Sequence, residues 1–248
     1  MNRIVEDLIP RGRHNRPMTN PSSSLYGRVM RPKWITVHNT GNRNNTAGAR
    51  NHSNWLKTLP VGTFVSWHFT IDDTVIYQHL PLNESGWHAG DNLGPGNTQT
   101  IGLEICENQL PQNMKGYLEA EEQGAMLCAH LIKTVPYLHD FPDCMKQHFD
   151  WSGKNCPSVI RGRANGWRDF LGKVEKHLAY EEEDKVQDGS TIPQIQKLID
   201  IKVNGEDTDE MGYLINGRTY VRAGFVGSLM GVRVTGHGTY INIHSSLK

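Results

Sequence analysis

Between Trp34 and Leu178, short apolar runs with strand periodicity alternate with longer runs of helical periodicity, and few architectures accept that pattern. The strand-like runs are Trp34 to Thr40, Val65 to Ile71, Thr74 to Leu80 and Thr100 to Cys106, with Asp72-Asp73 placed where a tight hairpin turn is needed. Helical patterns cover Thr46 to Leu59, Tyr117 to Val135 with Leu118, Ala125, Ala129 and Ile132 on one face, and Ser158 to Leu178 with Ile160, Trp167, Phe170, Leu171, Val174 and Leu178. This predicts an α/β domain over residues 1–179. Residues 1 to 33 show little periodicity beyond an apolar patch at Ile4, Val5, Leu8 and Ile9, and read as an arm laid over the core.

The charged stretch Tyr180-Glu181-Glu182-Glu183-Asp184-Lys185 has no apolar face, so residues 180–190 read as a linker. Residues 191–248 then form a small β-rich module. Short strands are predicted at Ile201 to Val203, Tyr213 to Ile215, Thr219 to Val221, Val232 to Val234 and Tyr240 to Ile243, with a helix from Arg222 to Met230.

The formal net charge is zero, which removes any bulk electrostatic drive toward nucleic acid or an anionic membrane. No run approaches the ~18 apolar residues of a membrane span, and Met1 to Pro10 lack the apolar core of a signal peptide. The expectation is a chain made in the cytoplasm without a signal peptide and without stable membrane insertion. Its four cysteines are too sparse for a disulfide scaffold, which leaves thiols for other work.

The segment from His148 to Pro157 is the most informative. His148 and Cys156 stand eight residues apart on a polar, Gly-containing loop, and imidazole nitrogen and thiolate are both zinc ligands. His38, at the end of an apolar strand, is the third candidate; three protein ligands leave a fourth position for water, as hydrolysis needs. Glu104 is a carboxylate inside the apolar run Ile101 to Cys106, where desolvation raises its pKa toward the range of a general base. Lys154 supplies a cation for the oxyanion formed when an amide is attacked.

With these residues in view, Trp34 to Thr40, Trp67-His68-Phe69, Ile101 to Cys106 and above all His148 to Pro157 resemble the motifs of the type 2, zinc-dependent N-acetylmuramoyl-L-alanine amidases. Phage endolysins and peptidoglycan recognition proteins belong to that group. The resemblance implies a central mixed β-sheet flanked by helices. It also implies one Zn2+ per chain on His38, His148 and Cys156, with catalytic help from Glu104 and Lys154. The implied substrate is the bond between N-acetylmuramic acid and the L-alanine of the peptide stem in bacterial peptidoglycan. The implied setting is an endolysin that reaches the wall after release. Some members carry Tyr before the His of the second motif; Trp67 stands there in this chain, which moves the acid–base burden to Glu104.

The candidate substrate contacts are Trp67, His68, Trp87, His88, Asn92 and Asn97, with Trp87 as an apolar platform and the asparagines as hydrogen-bond partners. The plainer reading makes His68, His79 and His88 structural or cleft-lining, His52, His130, His139 and His177 surface or helix-end residues, and Cys106 and Cys128 core thiols. The tail from Val203 to Gly231 resembles the stalk-type domain named after the N-terminal region of copper amine oxidases. That implies an accessory module for wall binding or for a homodimer, and nothing in it indicates copper binding. Two rivals share the fold or the chemistry. One is a non-catalytic peptidoglycan-binding module, whose expected mark is loss of the Cys ligand; the other is a zinc metallopeptidase cutting within the stem.

Overall fold

The computed structural model describes residues 1–17 and 29–187, and in the tail the backbone of 195–203, 206–215, 218–220, 233–237 and 240–244; side chains are described up to residue 179. The chain divides into two compact units, Met1–Asp184 and Lys185–Lys248.

The first unit is built on a six-stranded sheet of β1 (Ile4–Glu6), β2 (Trp34–Asn39), β3 (Phe69–Ile71), β4 (Ile76–Gln78), β5 (Thr100–Ile105) and β6 (Met145–Gln147), in the order β1-β4-β3-β5-β2-β6. Only the β3–β4 hairpin is antiparallel; the other neighbours run parallel, so the sheet is mixed. Its helices are α1 (Ala49–Thr58), α2 (Pro95–Thr98), α3 (Met114–Thr134), α4 (His148–Ser152), α5 (Ser158–Arg161) and α6 (Gly166–Gln187).

Strand alternation divides the sheet chemically, because successive side chains point to opposite faces. Ile35 and Val37 of β2, Phe69 and Ile71 of β3, and Ile101, Leu103 and Ile105 of β5 pack into one buried core with Tyr117, Leu127 and Leu131 of α3 and Phe170 and Val174 of α6. The intervening residues are polar or small: Thr36 and His38, Thr70, and Thr100, Gly102 and Glu104. A smaller cluster of Ile9, Leu56, Leu59, Trp67 and Leu80 is built around α1. The polar row therefore has a rigid apolar floor behind it.

Several predicted boundaries move. The arm supplies β1, an edge strand pairing parallel with β4 from Ile4 opposite Ile76 to Glu6 opposite Gln78. Leu118, assigned to the buried face of α3, is exposed; Tyr117, Gly124, Cys128 and Leu131 are buried instead. The helix predicted from Ser158 to Leu178 is two helices, separated where Asn165 takes a left-handed conformation (φ 60°). Helix α6 runs on to Gln187, through most of the stretch assigned to a linker. Its Glu and Lys residues favour helix by propensity and need no apolar face to do so.

In the second unit β7 (Ile195–Val203), β8 (Glu206–Ile215) and β9 (Arg218–Tyr220) form an antiparallel sheet, and β10 (Arg233–His237) pairs with β11 (Tyr240–His244). The helix predicted at Arg222 to Met230 lies outside the described residues. Among the described residues, no helix is long and apolar enough to cross a membrane.

Candidate active site

Parallel register sets Glu104 of β5 directly beside His38 of β2 on one side and Thr70 of β3 on the other. Strand β6 then delivers His148, because it ends at Gln147 and passes without a loop into α4. That junction carries a capping box: the Gln147 N–H donates to Asp150 Oδ2 (2.8 Å), and the Gln147 side chain accepts from the backbone of Asp150. Gly153, at φ 73°, ends α4 in the left-handed region and turns the chain back. The Phe149 N–H donates to the Cys156 carbonyl (3.0 Å), and Arg161 lies 3.7 Å over the Phe149 ring while bonding Asn155 and Gln147. The loop is thereby closed and Cys156 faces His38.

Three donors meet. His38 Nδ1 is 3.0 Å from His148 Nδ1 and 3.8 Å from Cys156 Sγ, and the ligand atoms all lie within 4.8 Å of one another. Two nitrogens on a tetrahedral Zn2+, each about 2.0–2.1 Å from it, stand roughly 3.3 Å apart, so the separations suit that ion. Electrostatics agree. Burial, the neighbouring His88 and His148, and Lys154 hold His38 well below its usual pKa, and burial with Lys154 brings His148 down to about 4. Both rings are neutral, as ligands must be. Burial and the Glu104 charge push the Cys156 thiol up to about 12, so a cation is needed to draw off its proton.

Glu104 borders this cluster, with Oε1 3.9 Å from His38 Nδ1 and Oε2 buried without a partner among the described residues. Burial raises its pKa to about 8, with Glu107 adding to the rise and Lys154 opposing it. Lys154 is exposed and enters the site through its charge on Glu104, His38 and His148.

Glu104 also forms part of a groove of about 530 Å³, together with Thr40, Asn42, Asn44, Asn51, Trp55 and Trp67. Of the six candidate substrate contacts only Trp67 lines it. Trp67 is itself buried, its indole N–H donating to Thr70 Oγ1 (2.7 Å). His68 is spent inside the fold, with Nδ1 accepting from the Gly102 N–H and Nε2 donating to the Glu84 carbonyl. Trp87 is half-buried and exchanges two backbone bonds with Ser66. His88 is buried behind His38. Asn97 is fully buried; its Oδ1 accepts from the His88 and Ala89 N–H groups and its Nδ2 donates to the carbonyl of the exposed Asn92. Asn97 therefore closes its own loop and is not available to a ligand. His52, expected as a surface or helix-end residue, is buried on α1 and borders the groove. Trp55 and the loop asparagines, which line the groove, were not among the candidate contacts; the Asn-rich run just past the end of β2 was the available signal.

The sequence pattern of N-acetylmuramoyl-L-alanine amidase, the Amidase_2 family, matches residues 28–159, which hold His38, Glu104, His148, Lys154 and Cys156. The chain belongs to this amidase family. Its relatives include the Bacillus subtilis N-acetylmuramoyl-L-alanine amidases XlyA, 39% identical over 81% of this chain, and CwlH, 40% identical over 69%. The chain spans 60% of the length of each. Among solved structures it resembles the catalytic domain of XlyA (40% identity, TM-score 0.58, 69% of this chain and 99% of that one). It also resembles the PlyG catalytic domain in solution (30% identity, TM-score 0.56, 71% and 96%). These likenesses bear out the mixed sheet flanked by helices that the amidase resemblance implied.

Proposed function

We propose that the chain is a zinc-dependent N-acetylmuramoyl-L-alanine amidase that hydrolyses the bond between N-acetylmuramic acid and the L-alanine of the peptide stem in bacterial peptidoglycan. The observation that carries this is the convergence of His38, His148 and Cys156 beside the unpartnered, buried carboxylate oxygen of Glu104 at the edge of a groove. Family membership supports it.

His38, His148 and Cys156 would hold one Zn2+, which when bound polarises the scissile carbonyl and acidifies water. Glu104 accepts a proton from the attacking water and returns it to the departing nitrogen of L-alanine. The Lys154 ammonium stabilises the negative charge that grows on the carbonyl oxygen. Trp55 and Trp67 offer apolar faces in the groove, and Asn42, Asn44 and Asn51 offer amide hydrogen bonds.

Residues 1–179 are the proposed catalytic domain. The tail, with its sequence likeness to the stalk-type domain, is proposed as an accessory module that binds the wall or forms a homodimer. Cellular release to the wall, as in an endolysin, is the setting we infer.

Digestion of purified muropeptides followed by mass spectrometry tests the reaction. The expected products are an intact saccharide ending in muramic acid and an intact stem with a free L-alanine amine. Cleavage inside the stem makes the chain a metallopeptidase, and binding without cleavage makes it a recognition module. Metal analysis is the companion test: about one zinc per chain is expected, with Cys156→Ser losing both metal and activity.

A further inference from the structure

His38 turns Nδ1 toward His148 and Cys156, and its other nitrogen, Nε2, lies 3.0 Å from His88 Nδ1, with the two rings nearly perpendicular at 86°. A ligating nitrogen must present a lone pair, so in the neutral ring the proton of His38 sits on Nε2. With a metal on Nδ1, His38 donates and His88 Nδ1 accepts, which places the His88 ring proton on Nε2, a buried atom with no hydrogen-bond partner among the described residues. Partners of this kind commonly fix the tautomer and ring orientation of a metal-binding histidine, and they are usually carboxylates or carbonyls. Here the partner is a second imidazole.

The surroundings of His88 are shaped for that ring. Its backbone N–H and that of Ala89 both donate to the buried Asn97 Oδ1, at 2.8 Å each. A Cβ on Gly102 would lie 2.7 Å from His88 Cε1 and Nε2, and a Cβ on Gly86 would lie 3.0 Å from His88 Cδ2. Gly102 occupies a mid-strand position between Thr100 and Glu104, where glycine costs stability and adds no packing of its own. Its use there is the space it leaves.

We propose that His88 is a positioning residue, accepting the Nε2–H of His38 so that Nδ1 is held toward the metal, and that Gly102 is glycine in order to admit the His88 ring. This rests on the zinc-site reading above.

The test is zinc affinity, measured on the full chain by competition with a chromophoric chelator, alongside the visible spectrum of the Co2+-loaded protein and the melting temperature of the metal-free protein. His88→Ala should weaken zinc binding about 10–100-fold and alter the Co2+ bands. His88→Asn, which restores an acceptor oxygen, should recover most of that loss. Gly102→Ala should weaken zinc while leaving every ligand and His88 itself in the sequence. If His88→Ala does not fold, His88→Leu, which keeps bulk and accepts no hydrogen bond, takes its place. A packing role alone predicts lower metal-free melting temperatures with parental zinc affinity and Co2+ spectrum in the folded variants, and that result overturns the proposal. A parent that binds no zinc overturns both this inference and the site reading. A parent that binds zinc, with His88→Leu and Gly102→Ala binding equally well, overturns this inference alone.

Discussion

Glu104 shows how a side chain can be read from sequence and yet gain its meaning from register. A lone acid in the run Ile101 to Ile105 is visible as an anomaly, but only the pairing of β5 with β2 puts it opposite His38. As the proposed general base it should be replaceable in shape and not in chemistry. Glu104→Gln is expected to keep zinc and fold while losing roughly 10²–10⁴-fold in turnover, checked by muropeptide kinetics with metal analysis. The same carboxyl predicts a pH effect on the metal-free protein. Its folded pKa, about 8, lies above the ordinary 4.5, so between those values the folded state holds a proton that the unfolded state has released. Stability therefore falls as pH rises through that window, and the full penalty is present above about 8. Metal-free Glu104→Gln should exceed the parent by about 4–5 kcal/mol at pH 9 and match it near pH 4.5, read by urea unfolding. That His38, His148 and Cys156 come together was legible because ligand chemistry restricts residue type. The internal bonding of His88 and Asn97 was not legible, because a polar turn cluster looks the same whether its side chains face a ligand or bond one another.

Asp72 ties two elements together. The turn it occupies between β3 and β4 was expected, but its reach was not. Oδ1 accepts from the Thr74 and Val75 N–H groups (2.9 Å each), closing the hairpin, while Oδ2 accepts from the Ala49 N–H (2.8 Å) at the start of α1. Helix α1 has no side-chain cap of its own, since its N-cap is Gly48, and a Cβ there would lie 2.9 Å from Asp72 Oδ2. One carboxylate thus satisfies the hairpin and places a negative charge at a helix N-terminus. Asp72→Ala should cost about 2 kcal/mol in denaturant unfolding. Because α1 contributes Asn51 and Trp55 to the groove, the variant should also raise KM more than it lowers kcat. Long elements such as β2, β5 and α3 were readable from periodicity. Strands β1 and β6 were not, because each has three residues and owes its existence to a partner, β4 or β2. The break at Asn165 was hidden for a related reason: the apolar spacing continues across it, and only the backbone reverses.

At the scale of the chain, the predicted division near residue 180 meets a helix that does not stop there. Helix α6 begins at Gly166, packs Phe170 and Val174 into the core and continues to Gln187, so a stop codon at Tyr180 would cut through it. Truncation after Gln187 keeps the whole helix and removes only residues of the second unit. Every residue of the candidate metal site, the groove and the sheet of the first unit precedes that point. The shortened protein should therefore remain folded, take up zinc as the full chain does, and cleave small soluble muropeptides at close to the parental rate. Intact sacculi are a different substrate. If the tail binds the wall, it raises the effective concentration of the catalytic unit at an insoluble polymer, and its removal should slow lysis without touching soluble turnover. If the tail instead joins two copies, light scattering should show dimer becoming monomer on truncation. Isolated residues 188–248 separate the cases, since co-sedimentation with purified sacculi marks wall binding and self-association without sedimentation marks dimerisation. Equal rates on sacculi, with no change in mass state, would remove both roles from the tail. Aggregation or loss of zinc on truncation after Gln187 would show that the first unit depends on the second, and the division of the chain into a catalytic domain and an accessory module would have to be withdrawn.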